Sequence, residues 1–147
     1  MDINNSLGFL LNQSARHMKR YLDAALKQYQ VTTSHWAVLV TLYQSDGLSQ
    51  VALAKLLDSD KATCGSIIDG LVKRGLVTRV LNSDDRRSYQ IRLTQKAKQE
   101  VSSMTQEAQK CNEIALKGFT TEEENQLKEY LARIIENLGG TANEYDP

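Results

Sequence analysis

The stretch that decides the fold covers residues 48–94 and is LSQVALAKLLDSDKATCGSIIDGLVKRGLVTRVLNSDDRRSYQIRLT. Ser49 starts a short helix, which an Asp-Ser-Asp segment then breaks. Asp60 is a good cap for a second helix over 61–74, because its carboxylate can accept backbone N–H groups. Gly75 is suited to end that helix. Two helices with a tight break between them predict a helix-turn-helix.

An antiparallel hairpin follows the second helix. Residues 76–81 are rich in β-branched side chains and are predicted to be extended. Residues 82–85, Asn-Ser-Asp-Asp, have the composition of a turn, and 89–93 alternate apolar and polar as a half-buried strand does. A helix-turn-helix followed by such a hairpin is a winged helix-turn-helix, in which the hairpin is the wing.

Further helices are predicted on both sides of this unit. Apolar residues recur at three- and four-residue spacing over 6–29, and Ser34 can cap an apolar helix over 35–43. The apolar positions of 95–118 step by four and three, which favours packing against other helices, and Thr121 opens a last helix with a capping box. The predicted fold class is therefore mainly α with a small β-hairpin wing.

Charge is distributed unevenly along a chain of 147 residues whose formal net charge is zero. Residues 55–98 contain ten basic and five acidic side chains, whereas 99–147 contain four basic and ten acidic ones. A length of this order suits a single domain with its own core. The asymmetry indicates a segment that binds a polyanion on an otherwise acidic body.

The sequence lacks the patterns of metal, cofactor and catalytic sites. Cys64 and Cys111 have no CxxC spacing and no histidine cluster near them, so neither a metal nor a cofactor is expected. No nucleophile–base pair and no phosphate-binding glycine loop is visible, so an enzyme is not expected. We also find no signal peptide and no apolar run of about 20 residues, which makes the cytoplasm the expected location and excludes a membrane partner.

The helix over 61–74, the reading helix, has side chains suited to duplex DNA. A helix of about four turns fits the major groove, and its N-terminal half can reach base edges. The outward positions near its start offer an ammonium group and two hydroxyls: Lys61, Thr63 and Ser66. Small residues such as Gly65 permit close approach, and three cations can meet the DNA backbone: Lys73, Arg74 and Arg79.

The tip of the hairpin adds two arginines, Arg86 and Arg87, beside Asp85. Arginine at the end of a rigid ribbon suits the narrow, electronegative minor groove. Charged hairpin tips are also common as simply solvated turns, so the pair depends on its context. Because it follows a helix-turn-helix, we predict that it contacts DNA.

These residues resemble the MarR family of bacterial regulators, particularly its SlyA-like branch. The resemblance spans nearly the whole chain and is strongest in IIDGLVKRGLVTR (67–79) and DDRRSYQIRLT (84–94), with TTSHWAVL (32–39) upstream. It implies a homodimer on a palindromic DNA operator. The whole chain, 1–147, would be a single MarR-like domain, with dimerisation helices in 1–31 and 95–147 and the winged helix-turn-helix in 32–94.

The resemblance also implies roles for single residues. Gln50 would face the DNA backbone, and three residues of the reading helix would lie in the major groove: Lys61, Thr63 and Ser66. In the wing, Asp85 would orient the tip and Arg87 would enter the minor groove. Many relatives have a basic residue at the positions of Ser66 and Gly70, so these departures affect which operator is bound and not the fold.

Two further groups of residues have a functional and a structural interpretation. His17, His35 and Trp36 can line a pocket for a small aromatic or phenolic effector, or they can be a surface, a capping and a core residue. Cys64 can be a small core residue or a thiol whose oxidation blocks DNA binding. Cys111 is expected to be packing.

The leading hypothesis is a ligand-responsive repressor that binds DNA as a homodimer. The alternatives are a redox-sensing regulator that uses Cys64 and a winged-helix module that binds another protein.

Overall fold

The computed structural model describes residues 2–85 and 88–141. Its long helices are α1 (Leu7–Leu26), α2 (Thr33–Gln44), α3 (Gln50–Leu56), α4 (Lys61–Lys73), α5 (Gln95–Ala115) and α6 (Thr121–Asn137). Its strands are β1 (Leu48–Ser49), β2 (Val77–Leu81) and β3 (Tyr89–Leu93), and short 3₁₀ turns cover Ile3–Asn5 and Lys27–Tyr29. The predicted class, mainly α with a small β wing, is confirmed.

The three strands form one antiparallel sheet in the order β1-β3-β2. The predicted hairpin is confirmed, with Arg79 of β2 opposite Ile91 of β3. Ile91 also pairs with Leu48 of β1, a strand that the sequence analysis missed. Because β1 is two residues long, it has no periodicity from which a strand could be predicted.

Local side chains fix the ends of the helix-turn-helix. The Ser49 hydroxyl accepts a hydrogen bond from the Ala52 N–H at 3.1 Å, which caps α3. The Asp60 carboxylate accepts one from the Thr63 N–H at 2.7 Å, which caps α4. Gly75 has φ +69°, a left-handed conformation that ends α4 at low cost. These three sequence predictions are confirmed.

The cap of α2 lies earlier than predicted. Thr32, and not Ser34, is the N-cap, so the helix begins at Thr33. The His35 N–H donates to the Thr32 hydroxyl, and the Thr32 N–H donates to His35 Nδ1 at 3.0 Å. This reciprocal pair is a capping box in which a histidine takes the place of the usual Glu or Gln. The second hydrogen bond, to His35, favours Thr32 over Ser34 as the N-cap.

The cap of α6 also lies earlier than predicted, in this case by one residue. Thr120 accepts a hydrogen bond from the Glu123 N–H at 3.1 Å, and the Thr120 N–H donates to the Glu123 carboxylate at 3.0 Å. Thr121 is therefore the first residue of the helix and not its cap. Both threonines have a glutamate three residues later, Glu123 or Glu124, so the capping-box pattern alone does not choose between them.

The chain divides into two compact units, Met1–Cys111 and Asn112–Pro147. The core of the first unit lies between α2, α4, α5 and the sheet, and its fully buried members include Leu39, Ile68, Leu71, Ile91 and Met104. The predicted seam of α5 is buried from Ala97 to Cys111, whereas Ala115 is exposed. Val72 of α4 is 39% exposed, in contrast to Ile68 and Leu71 of the same helix.

The second unit contains α6, in which no residue is buried. Its apolar side chains, among them Leu127, Tyr130 and Ile135, are exposed along the helix. Within the described ranges, no helix combines the length and the apolar character that crossing a bilayer requires.

The His35 capping box makes stability depend on pH. Burial lowers the pKa of His35 below its ordinary 6.5, and the nearby Arg74 guanidinium lowers it further, while Asp23 acts in the opposite direction. As the pH falls below about 6.5, His35 of the unfolded chain binds a proton more readily than His35 of the folded chain. The free energy of unfolding that is present above this pH therefore decreases as the pH falls. In His35→Gln, the amide can still accept from Thr32 but does not titrate.

We expect wild type to lose more free energy of unfolding than His35→Gln between about pH 7.5 and pH 5.5. Urea unfolding at the two pH values measures the difference. His17→Gln, on the exposed side of α1, is the matched control and should behave as wild type. Equal pH dependence in wild type and His35→Gln would contradict the lowered pKa of His35.

Candidate nucleic-acid interface

The side of α4 opposite the core presents polar side chains to solvent. Lys61 and Ser66 are exposed, whereas Cys64, Ile68 and Leu71 are buried on the other side of the helix. The apolar stripe therefore fixes the rotation of α4 about its own axis. The predicted groups at the start of the reading helix are accessible as a consequence.

Thr63 is exposed, but its hydroxyl is already in use. Its Oγ1 donates to the second carboxylate oxygen of Asp60 at 2.7 Å, in addition to the backbone bond that caps the helix. These bonds lower the pKa of Asp60, so its carboxylate stays ionised and continues to accept the hydrogen bond from the Thr63 hydroxyl. Only the lone pairs of the Thr63 hydroxyl oxygen remain available. Toward a ligand this hydroxyl is therefore an acceptor and not a donor.

Gln50 lies against α4 at the position of Gly65. A Cβ atom on residue 65 would be only 3.0 Å from Gln50 Nε2, closer than such contacts normally come. The glycine was expected to permit a close approach of DNA. In the structure, the group that approaches this closely is the Gln50 amide, which ties the start of α3 to the reading helix.

Two of the three predicted backbone-binding cations are held by the protein itself. Arg79 of β2 forms an ion pair with Asp69 and a longer bond to the Gly65 carbonyl, which attaches the wing to α4. Arg74 donates to the carbonyl groups of Gln30 and Gly70. Lys73 remains exposed in the last turn of α4. The exposed cation could not be told from the two bonded ones by sequence, because Gln30 and Asp69 are not local neighbours of Arg74 and Arg79 along the chain.

The wing closes through backbone hydrogen bonds at its base. The Asn82 N–H donates to the Ser88 carbonyl at 3.0 Å, and the Ser88 N–H donates to the Asp85 carbonyl at 3.1 Å. Asp85 is exposed. Arg86 and Arg87, the predicted tip residues, lie outside the described residues. Their predicted contact with the minor groove stays a prediction.

The three predicted effector residues lie in different environments, and none of them lines the larger of the two cavities described below. His17 is exposed on α1, His35 is engaged in the capping box, and Trp36 packs on the core with its Nε1 donating to Thr105 Oγ1 at 3.5 Å. A cavity of about 410 Å³ lies instead between α2 and the turn from α3 to α4. Its walls include Ala37, Asp58, Asp60, Thr63 and Ile67.

Cys64 has the environment of a core residue. Its side chain is 1% exposed, and its Sγ lies 3.9 Å from the Gln50 carbonyl oxygen. Burial raises the pKa of the Cys64 thiol, and the Asp60 carboxylate raises it further, so the nucleophilic thiolate is disfavoured at neutral pH. Burial also raises the pKa of Cys111. Within residues 2–85 and 88–141, no group of three or more His, Cys, Asp or Glu side chains is placed to hold a metal.

Solved structures of transcription regulators share this fold. A MarR transcriptional regulator from Methanosarcina mazei Go1 is 29% identical, with a TM-score of 0.82 over 89% of this chain and 94% of that chain. The transcriptional regulator SlyA is 25% identical, with a TM-score of 0.83 over 94% of both chains. A mutant MarR from E. coli in complex with operator DNA is 25% identical, with a TM-score of 0.82 over 88% of this chain and 93% of that chain.

The MarR and SlyA structures are equally similar to this chain in sequence, so the comparison does not single out the SlyA-like branch. The family match covers the part of the chain that contains the reading helix and the start of β3. MarR family proteins are transcriptional regulators and not enzymes. Residues 31–89 of this protein match the model of the MarR family.

Proposed function

We propose that this protein is a transcription regulator that binds a palindromic duplex DNA operator as a homodimer. The observation that carries the proposal is the exposed polar side of α4 beside a hairpin wing, within a MarR family domain. The E. coli MarR mutant of the same fold was solved with operator DNA, which supports the same use of the surface here.

The proposed DNA contacts divide into positioning and sequence-reading groups. Ser66 and Lys61 lie at the exposed start of α4, from which a helix reaches base edges in the major groove. Lys73 is an exposed cation suited to the DNA backbone, and Gln50 reaches the same side from α3. Arg87, with Arg86 beside it, is proposed to enter the minor groove from the wing.

Exposed apolar side chains on the terminal helices support the homodimer. On α1, Leu7 is 61% exposed and Leu10 is 44% exposed. On α6, no residue is buried although its apolar side chains recur at helical spacing. A soluble chain rarely exposes such faces unless another surface covers them. We propose that the terminal helices of a second copy cover them.

The described thiol gives no support to the redox alternative, because Cys64 is buried and its pKa is raised. We propose instead a repressor that responds to a small molecule, as the family resemblance implies. The cavity beside the α4 cap is a suitable place for an uncharged phenol. Two carboxylates in its walls, Asp58 and Asp60, disfavour an aromatic acid. A ligand that moves Asp60 would shift α4 relative to its half-site.

Selection of operators from a random duplex library tests DNA reading. We expect wild type to enrich a palindromic site and to lose affinity steeply with salt, because phosphate contacts release counterions. Arg86→Ala/Arg87→Ala should weaken binding to that site by about tenfold or more. Lys98→Ala, a charge change on the exposed side of α5, is the control and should bind as wild type. No enriched site, together with salt-insensitive binding, would favour the protein-interaction module.

Sedimentation at micromolar concentration tests the homodimer. We expect wild type to sediment with the mass of two chains and Leu127→Asp to shift toward one chain, because burying an unpaired carboxylate opposes association. Val72→Asp places the same charge at an exposed apolar position of α4 and should remain dimeric. A monomeric wild type would contradict the proposal.

Titration of the operator complex with small aromatic compounds tests the ligand response. We expect an uncharged phenol to release DNA at lower concentration than the benzoate of matching shape, since the cavity walls contain two carboxylates. Ala37→Leu should fill the cavity, abolish the response and leave operator affinity intact. Equal operator affinity with and without every compound tested would remove the ligand-responsive part of the proposal.

A further inference from the structure

A second, smaller depression lies where α3, α4 and β3 meet, and we call it the wing notch. Its volume is about 190 Å³, and it is lined by Ser49, Gln50, Val51, Lys61, Ser88 and Tyr89. At about 30 Å³ for each water, this is room for roughly six water molecules. A phosphodiester group fits such a space, whereas a base pair does not.

The wing notch is positively charged. Among the described residues that line the notch, Lys61 is the only charged one and none is a carboxylate. Within residues 2–85 and 88–141, no ion pair involves Lys61. Its neighbour Asp60 lines the other cavity and not the notch. The cavity beside the α4 cap differs in having two carboxylates in its walls. The notch therefore attracts an anion and the cavity does not.

The wall of the notch formed by Ser88 and Tyr89 is fixed by hydrogen bonds in the loop that joins β2 to β3. Ser88 donates and accepts backbone hydrogen bonds that close the hairpin, and its hydroxyl accepts from Asn82 Nδ2 at 3.5 Å. An acceptor role leaves the Ser88 hydroxyl proton available. Tyr89 is held by its pairing with Leu81, and its side chain is 45% exposed. Its phenol is a further hydrogen-bond donor on a rigid strand.

The opposite wall is equally constrained. The Ser49 hydroxyl is held as the cap of α3, and the Gln50 amide lies beside Gly65 of α4. An anion in the wing notch would therefore meet the capped start of α3 and the hydrogen-bonded hairpin, while Lys61 supplies the positive charge. Such preorganisation reduces the ordering cost of binding.

We propose that the wing notch binds one backbone phosphate of duplex DNA in each half-site, with Lys61, Ser88 and Tyr89 as its donors. This inference rests on the proposed function and deepens it, because it assigns Ser88 and Tyr89 to the interface and Lys61 to phosphate instead of a base. A phosphate held between α4 and β3 fixes the angle between the reading helix and the wing. It positions both without reading sequence.

The test uses the selected operator with single phosphates replaced, one at a time, by neutral methylphosphonates. For wild type we expect one replacement per half-site to weaken binding by about tenfold, the size of a charge-assisted hydrogen bond. Tyr89→Phe and Ser88→Ala should weaken binding to the unmodified operator and be less sensitive to that replacement, as coupled partners are in a double-mutant cycle. Lys61→Met should also lower the salt slope by about 0.9. Base preference should stay unchanged in all three variants.

Tyr43→Phe, which removes a hydroxyl from another exposed tyrosine on α2, and Lys98→Met are the matched controls and should bind as wild type. Melting temperatures show whether each variant is folded. If wild type selects an operator but no single phosphate couples to Tyr89, Ser88 or Lys61, the wing-notch inference fails and the proposed function stands. If wild type selects no operator, the proposed function itself fails.

Discussion

Burial of one side of α4 is the constraint on which the rest of the interface depends. Ile68 and Leu71 are fully buried, and truncating such residues costs about 2–5 kcal/mol. A hydrogen bond on the surface contributes about 1 kcal/mol. The apolar contacts therefore decide how α4 lies and which side faces out. The polar contacts adjust only its ends and its distance from the neighbouring elements.

Polar contacts nevertheless connect α4 to the wing and to the joint between α1 and α2. Arg79 attaches it to the wing through Asp69, and Arg74 attaches its last turn to the joint between α1 and α2 through the Gln30 carbonyl. Gln30 has φ +59°, so the carbonyl is presented by a backbone turn that few non-glycine residues adopt. Arg74 and Arg79 of this basic segment thus hold the frame, and the charges left for a partner are fewer than its composition suggests.

Features determined by near neighbours in sequence could be predicted, and features determined by distant ones could not. The caps at Ser49 and Asp60 were predictable because the bonding partner is three residues away. The choice of Thr32 over Ser34 depended on a histidine acting as the reciprocal acceptor, which composition rules do not anticipate. The roles of Arg74 and Arg79 and the environments of the expected effector residues depend on tertiary packing. The two arginines at the wing tip lie beyond what the structure describes.

The close approach of Gln50 to Gly65 has an evolutionary consequence. Any larger residue at 65 would meet the amide at the distance where contacts become repulsive, so it requires a shorter or differently turned side chain at 50. A substitution at 65 therefore displaces the side chain at 50, and the free-energy effects of substitutions at the two positions should not add. Relatives that accept a larger side chain in this turn of the reading helix should therefore co-vary at the start of the preceding helix. A substitution that appears to alter only DNA reading would also reset the packing between the two helices.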